Sequence, residues 1–426
     1  MKKRSPPRRR AEARNKLLWL PLWIVCLWTA GLAQNGGAPD FVRQERNLII
    51  YPDGDSAPLS HFFTALDQLF LRGQRQVRVV HLGDSHIQAD YFSGRLRTLL
   101  QEFTSAPVGR GWIFPYRVAR TNGPEDYSVS YRGRWRRCRN IDKEAVCDLG
   151  VSGISVSTDA PSASITLEMK DDLPFSYGFT LVRVFHAPGE DSFQVDLGES
   201  EEVVRSEDRQ AGVTLFRLPD ERRRLTLELR RTEARQTSFT LHGLSLENPY
   251  PGLLYHAMGV NGADAESFLR CVLLEEHLEI LAPDLVIVSL GTNDAIGGQF
   301  DQALFLGNME SLISRIRQAV PQASLLLTTP GDNYRRLRRR NRVPNRNNLE
   351  ARKSVLRAAQ ISDTAVWDFF DVMGGLYSIR QWQRQGLSSY DKVHLSKQGY
   401  QLQGELLFQA LQRAYQAHTQ EAGSRR

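Results

Sequence analysis

Apolar residues follow two different periods along this chain, and the period changes twice. Between about residues 45 and 118, β-type runs at Asn47–Tyr51 and Val77–Leu82 alternate with helical repeats at His61–Arg72 and Gln88–Phe103. From about 125 to 248 the pattern becomes short alternating strands separated by turn residues. Examples are Ser164–Met169, Phe179–Phe185, Ser192–Leu197, Val213–Leu218, Leu225–Leu229 and Ser238–Leu246. Half-buried strands at this spacing predict a β-sandwich. After Pro249 the buried-strand runs Leu285–Leu290 and Ser324–Thr329 appear, each followed by a helical segment. The predicted architecture is one α/β domain, a parallel sheet flanked by helices, interrupted by an inserted all-β sandwich. Its parts are residues 34–118 and 249–418, with the insert at 119–248 and a disordered tail at 419–426. Parallel strands from both parts can share one sheet, so residues three hundred positions apart can meet.

A chain of 426 residues is long enough for two or three such units. Apolar and charged fractions of 41% and 24% are those of ordinary globular proteins. The formal net charge of +7 lies wholly in residues 1–33, where eight Lys and Arg face Glu12 alone. The remainder is neutral in balance, which excludes a nucleic-acid partner on bulk electrostatics. The basic start precedes an apolar run, Leu17–Ala33, with small residues at Gly31 and Ala33. This reads as a secretory signal cleaved after Ala33; an uncleaved membrane anchor is the alternative. Export predicts oxidising surroundings. Cys138 and Cys147 flank a short polar loop and are the disulfide candidates, whereas Cys271, in a helical stretch, reads as a buried apolar side chain. The nine histidines are scattered, with neither Cys-x-x-Cys nor His-Glu-x-x-His spacing, so no metal is expected.

Two short motifs carry the chemistry. Gly83-Asp84-Ser85-His86 follows the run Val77–Leu82 and precedes a helical pattern. A serine where strand gives way to helix presents its hydroxyl at the C-terminal edge of a sheet, where open α/β folds bind ligands. Asp391-Lys392-Val393-His394 sets a carboxylate three residues before a histidine. Asp391 can orient His394, which can take the proton of Ser85, the arrangement of a serine hydrolase. Acyl transfer also needs donors aimed at the developing oxyanion. The N–H of Ser85, the N–H of Gly262 (Gly259 being the alternative) and the side-chain NH₂ of Asn293 are the candidates. His86 is read as structural or substrate-facing, since no carboxylate stands to it as Asp391 stands to His394.

Gly83-Asp84-Ser85, the 259–264 glycine loop, Gly291-Thr292-Asn293-Asp294 and Asp391-x-x-His394 resemble, in order, the four blocks of the SGNH (GDSL-like) hydrolases. The stretch Val372–Trp382, Gly386-Leu387 and Asp391–Tyr400 is similar to exported bacterial peptidoglycan O-acetylesterases, which carry a carbohydrate-binding-like β-sandwich between the serine and glycine blocks. The resemblance spans about residues 45–415. It implies Ser85 as nucleophile, His394 as base and Asp391 as its partner. It implies removal of the acetyl ester from the C6 hydroxyl of N-acetylmuramic acid through an acetyl-serine, with no cofactor. The expected partner is O-acetylated peptidoglycan or another acetylated polysaccharide. A monomer is expected, in the periplasm of a Gram-negative bacterium, held at the inner membrane only if the leader stays uncleaved. An O-acetyltransferase or an esterase for another polysaccharide, and a non-catalytic glycan-binding protein, are the alternatives.

Three features have competing readings. The basic run Arg335–Arg342 reads as a solvated face or as a cationic surface at the cleft mouth attracting an anionic glycan. Trp112 and Phe114 read equally as core or as sugar-stacking rings. Trp135 and Tyr131 are weaker candidates for sugar contacts.

Overall fold

Six strands form the central sheet, in the order Ile49–Ile50, Ala365–Trp367, Ser324–Thr328, Leu285–Ser289, Gln76–Gly83 and Gly252–Gly259. All neighbours are parallel except the first pair. The structure, a computed structural model, describes residues 38–52, 54, 56–105, 107–198, 203–338 and 341–424. The leader expected at residues 1–33 lies outside them. The chain divides into Met1–Asp40 and Phe41–Arg426, and the central sheet belongs to the second unit.

Local chemistry accounts for these elements. Val77, Val79, Val80 and Leu82 are all fully buried, as a parallel strand covered on both faces requires. The helix Ser60–Arg72 ends at Gly73, whose φ of 61° is left-handed and whose N–H caps the carbonyl of Leu69. The single helix expected from Gln88 to Phe103 is instead two, Ser85–Gln88 and Tyr91–Phe103. The break falls at Asp90, a non-glycine residue at φ 59°. Its buried carboxylate pairs with Arg97 at 2.8 Å and with Arg110, and accepts from Ser93 Oγ at 2.6 Å. These tertiary ion pairs hold a conformation that local propensity disfavours.

Between the strands Gln76–Gly83 and Gly252–Gly259 the chain builds two antiparallel sheets. One contains Tyr127–Arg132, Ser162–Met169, Arg224–Arg230 and Gln194–Leu197. The other runs from Val204–Asp208 through Val213–Arg222, Phe179–His186, Phe239–Glu247 and Ile154–Thr158 to Arg136–Arg139. Gly111–Ile113 also pairs with Phe239–Glu247. Trp112 is 1% exposed, its ring 5.0 Å from that of Phe185, and Phe114 and Trp135 are buried too. These three rings are core and offer no face on which a sugar could stack. Tyr131 is 40% exposed. One apolar cluster joins both regions, running from Leu82, Met258 and Val288 to Val184, Leu227 and Leu241.

The closing helix, Lys397–Ser424, carries the chain through residues 419–424, where the sequence predicts a disordered tail. Tyr415 fixes it by donating to Asp67 at 2.6 Å, and Phe63 packs on both Tyr415 and His418. Cys138 and Cys147 are joined in a disulfide with Cα atoms 6.6 Å apart, and Cys271 is buried.

Candidate active site

Ser85 opens a one-turn helix directly after the strand Gln76–Gly83, at the C-terminal edge of the parallel sheet. The turn is fixed by close approach. A Cβ on Gly83 would lie 2.4 Å from Ile87 Cγ1 and 2.9 Å from the Ser289 carbonyl, and one on Gly259 would lie 2.3 Å from the Gln88 nitrogen. Asp84, 1% exposed, caps the turn: one oxygen accepts from the His86 N–H at 2.9 Å, the other from Asn293 Nδ2 at 3.2 Å. Burial pushes the Asp84 carboxyl above its usual range, against the pull of His86 and its N–H.

The histidine comes from a loop. Asp391 and His394 lie between the helices Ile379–Arg384 and Lys397–Ser424, with Lys392 between them at φ 55°. His394 Nε2 is 2.9 Å from Ser85 Oγ, and His394 Nδ1 is 2.7 Å from Asp391 Oδ2. The other Asp391 oxygen accepts the N–H groups of Val393 at 2.8 Å and His394 at 2.9 Å, and the Ser389 hydroxyl. Burial opposes ionisation of Asp391, yet the hydrogen bonds from His394, Ser389 and the two amides prevail and hold its carboxyl well below the usual range. The hydrogen bond to Asp391 raises the His394 imidazole above its ordinary value, although partial burial pulls the other way. A neutral ring donating from Nδ1 to Asp391 leaves Nε2 as acceptor toward Ser85.

The third wall is the loop after Gly252–Gly259. Gly262 sits at φ 86°, and among the described residues its N–H has no hydrogen-bond partner. The loop is tied to the serine's own turn, because Asn261 N–H donates to Gln88 Oε1 at 2.6 Å. Gln88 Nε2 in turn donates to Thr121 Oγ1 at 3.0 Å and to the Asn122 carbonyl at 2.6 Å. Asn293 Nδ2 is directed at the Ala263 carbonyl, 2.8 Å away, as well as at Asp84. The next residue, Asp294, accepts the Ala265 N–H at 3.1 Å, and burial pushes its carboxyl up to about 7.

Sequence reasoning placed Ser85, Asp391, His394, Gly262 and Asn293, and the fold brings them to one edge of the sheet. It missed Ser389, Gln88 and Asn261. Ser389 lies two residues before Asp391, a spacing that is a usable signal; the other two act through a tertiary contact that no local pattern shows. His86 is not in the proton path to Asp391: its Nδ1 meets Tyr400 Oη at 2.8 Å, and its ring centre is 5.4 Å from that of His394. His81 bridges Tyr255 and Ser289 at 2.6 and 2.7 Å, and burial pushes it down to about 3, a neutral hydrogen-bonding residue of the core. Among the described residues no three His, Cys, Asp or Glu side chains gather as metal ligands would.

Residues 231–402 match the GDSL-like Lipase/Acylhydrolase family. Among solved structures, one described as "Peptidoglycan O-acetylesterase in action" is 23% identical, with a TM-score of 0.71, covering 87% of this chain and 99% of that one. A lipase/acylhydrolase from Enterococcus faecalis is 24% identical over 37% of this chain and 75% of its own, at a TM-score of 0.31. An acetylxylan esterase from Geobacillus stearothermophilus is 19% identical over 39% of this chain and 74% of its own, at 0.29. No curated protein gives a match to the chain. The first of these structures shares the fold over nearly its whole length. Residues 231–402 are therefore similar to a GDSL-like lipase/acylhydrolase, and the chain shares the fold of the first of these structures.

Proposed function

We propose that this chain is an esterase that removes O-acetyl groups from peptidoglycan, at the C6 hydroxyl of N-acetylmuramic acid, through an acetyl-serine on Ser85. The observation that carries the mechanism is the hydrogen-bonded chain Ser85 Oγ, His394 Nε2, His394 Nδ1, Asp391 Oδ2, with links of 2.9 and 2.7 Å. The substrate class rests on likeness to a fold described as a peptidoglycan O-acetylesterase.

In the first half-reaction Ser85 Oγ attacks the acetyl carbonyl carbon while His394 Nε2 takes the hydroxyl proton. The tetrahedral oxyanion is held by the N–H groups of Ser85 and Gly262 and by Asn293 Nδ2. Asn293 exchanges its longer contact, 3.2 Å to Asp84, for the oxyanion and keeps the one to Ala263. Collapse breaks the bond to the sugar oxygen, which leaves with the proton from His394. Water then attacks the acetyl-serine, giving its proton to His394, and acetate departs as Ser85 regains its hydrogen. A donor of this kind is worth about 10²- to 10³-fold. Gly259 is better explained by the close packing of the serine's turn than by donation, so Gly262 is the glycine assigned to the oxyanion.

In this reading residues 34–118 and 249–418 form the catalytic domain, 119–248 the inserted β domain, and residues 1–33 export the chain to a compartment outside the cytoplasm. The deciding experiment is acetate release from O-acetylated peptidoglycan by the protein and by Ser85→Ala. Release by the wild type and a fall of at least about 10³-fold in the variant are expected. Hydrolysis of an aryl acetate with none of the glycan would overturn the substrate while keeping the serine. Undiminished turnover by Ser85→Ala would overturn the mechanism.

A further inference from the structure

The arginine-rich run is a β-hairpin, Tyr334–Arg338 paired with Asn341–Pro344, and it is bolted to both sides of the site. On the histidine side, Tyr334 N–H donates to the Lys392 carbonyl at 2.8 Å, and the Arg342 guanidinium donates to the carbonyl of Asp391. On the asparagine side, Asn345 and Asn347 at its base donate to the Ala295 carbonyl at 3.1 and 3.0 Å, and Asn347 also to that of Gly297. The Arg335 guanidinium lies beside Gly298, within 3.9 Å of where a Cβ there would stand. The hairpin therefore bridges the turn after Asn293 and the loop that carries Asp391 and His394.

Cations gather along this bridge with little counter-charge: Asp332 acts on Arg380, but no carboxylate pairs with it within 4.0 Å among the described residues. Arg380 and Lys392 lie against the ring of the buried Tyr334, 5.5 and 4.8 Å from its centre, and Arg342 lies 6.0 Å from that of Tyr390. Among the described residues, Arg335, Arg342, Arg380 and Lys392 make no ion pair. Elsewhere most buried or half-buried arginines do: Arg97, Arg110, Arg315 and Arg352 each face Asp or Glu. Asp391, the one acid on the loop itself, is committed to His394. Holding several cations together with so little counter-charge costs self-repulsion, which a bound anion would offset. Tyr390, 89% exposed, adds ring surface beside them.

We propose that this hairpin and the 390–392 loop form a subsite for carboxylates carried by the glycan next to the ester being cleaved. The proposal rests on the peptidoglycan reading above and adds what that reading leaves open: the enzyme selects strands whose peptide carboxylates are free. Guanidinium groups suit carboxylates because their paired N–H donors match the two oxygens, and the subsite sets position along the strand while Ser85 acts on the acetyl group.

The test measures equilibrium binding of soluble muropeptides to the Ser85→Ala protein, before and after amidation of their carboxylates. Native fragments are expected to bind about tenfold or more tightly than amidated ones, with a preference that shrinks as salt rises. Arg335→Gln with Lys392→Asn should abolish the preference, asparagine being chosen because it accepts the positive φ at 392. Arg335→Lys alone should keep most of it, which separates lost charge from misfolding. Equal binding of native and amidated fragments, no binding of either, or a preference that survives the double substitution overturns the subsite. Acetate release by the wild type on the same fragments reports separately on the esterase reading, which stands or falls by that result.

Discussion

The turn that carries Ser85 and the loop that carries His394 meet across 2.9 Å, yet they are held by different physics. The serine's turn is fixed by steric fit. Gly83 and Gly259 leave no room for a Cβ, and the strand before it is buried on both faces. The histidine's loop is more open: the His394 side chain is 41% exposed, and what fixes it is polar. Asp391 accepts from His394, Val393 and Ser389, and Tyr334 and Arg342 bind backbone carbonyls on either side. In the proposed mechanism the nucleophile gains from a rigid base, while a ring that binds and releases a proton in each half-reaction gains from a charge that follows it. The contrast predicts that serine-side substitutions act mainly through stability and loop substitutions mainly through rate and its pH dependence.

The largest effect should come from Asp391→Asn. The fold should survive, since the loop keeps its other anchors, but the imidazole loses the group that fixes its tautomer. A fall of about 10⁴ in kcat, or roughly 5 kcal/mol, is expected. The pH profile sharpens the point. A protonated His394 cannot accept the serine's proton, so activity rises with pH through its ionisation. Because Asp391 raises that imidazole, the acid limb of kcat/KM in the wild type should lie above the free value of about 6.5. In Asp391→Asn the limb should move to lower pH. A limb unchanged by the substitution would mean that another group governs it.

Next comes Gly259→Ala on the serine side. The added methyl group would meet Gln88 N at 2.3 Å, Asp84 O at 2.7 Å and Gln88 Cα at 2.8 Å, all backbone atoms that cannot rotate away. Overpacking of this kind costs about 1–3 kcal/mol, read as a lower midpoint in urea with an unchanged slope. The acid limb should stay where it is. A variant of full stability but altered pH dependence would erase the distinction between the two sides.

Legibility in the sequence divides along the same line. The run Val77–Leu82 showed its strand because burial on both faces leaves a plain apolar signature, and Asp391 and His394 are three residues apart, so their pairing is local. The alternating strands at 164–169, 213–218 and 225–229 were visible for the same reason. What stayed hidden depends on partners distant in the chain. The helix break at Asp90 needs Arg97 and Arg110, and the order of the last helix beyond residue 418 needs Asp67 and Phe63. Trp112, which read equally as core or as a sugar platform, is core because Phe185 and Gly243 close over it. The basic run at 335–342 looked like a face, and only the carbonyls of Asp391, Lys392 and Ala295 make it a bridge.

The smallest expected effect belongs to Ser389, and it tests how finely the polar side is built. Its hydroxyl donates to Asp391 Oδ1, the oxygen facing away from His394 Nδ1. Ser389→Ala removes one of three donors to that oxygen and leaves the bond to the imidazole intact. Two consequences oppose each other. A carboxylate with fewer donors is a stronger partner for His394, which would move the acid limb slightly upward; a carboxylate with one fewer anchor positions the ring less well. A hydrogen bond to a charged group contributes about 1.5–3 kcal/mol in total. Only part of that can pass through Asp391 to the reaction, so a fall of roughly tenfold in kcat is expected, about 1.4 kcal/mol. Stability in urea should barely change, because the loop keeps the Val393 and His394 amides on the same oxygen. If Ser389→Ala instead unfolds the protein as readily as Gly259→Ala does, the loop is a packed element like the serine's turn, and the division between a steric side and a polar side fails.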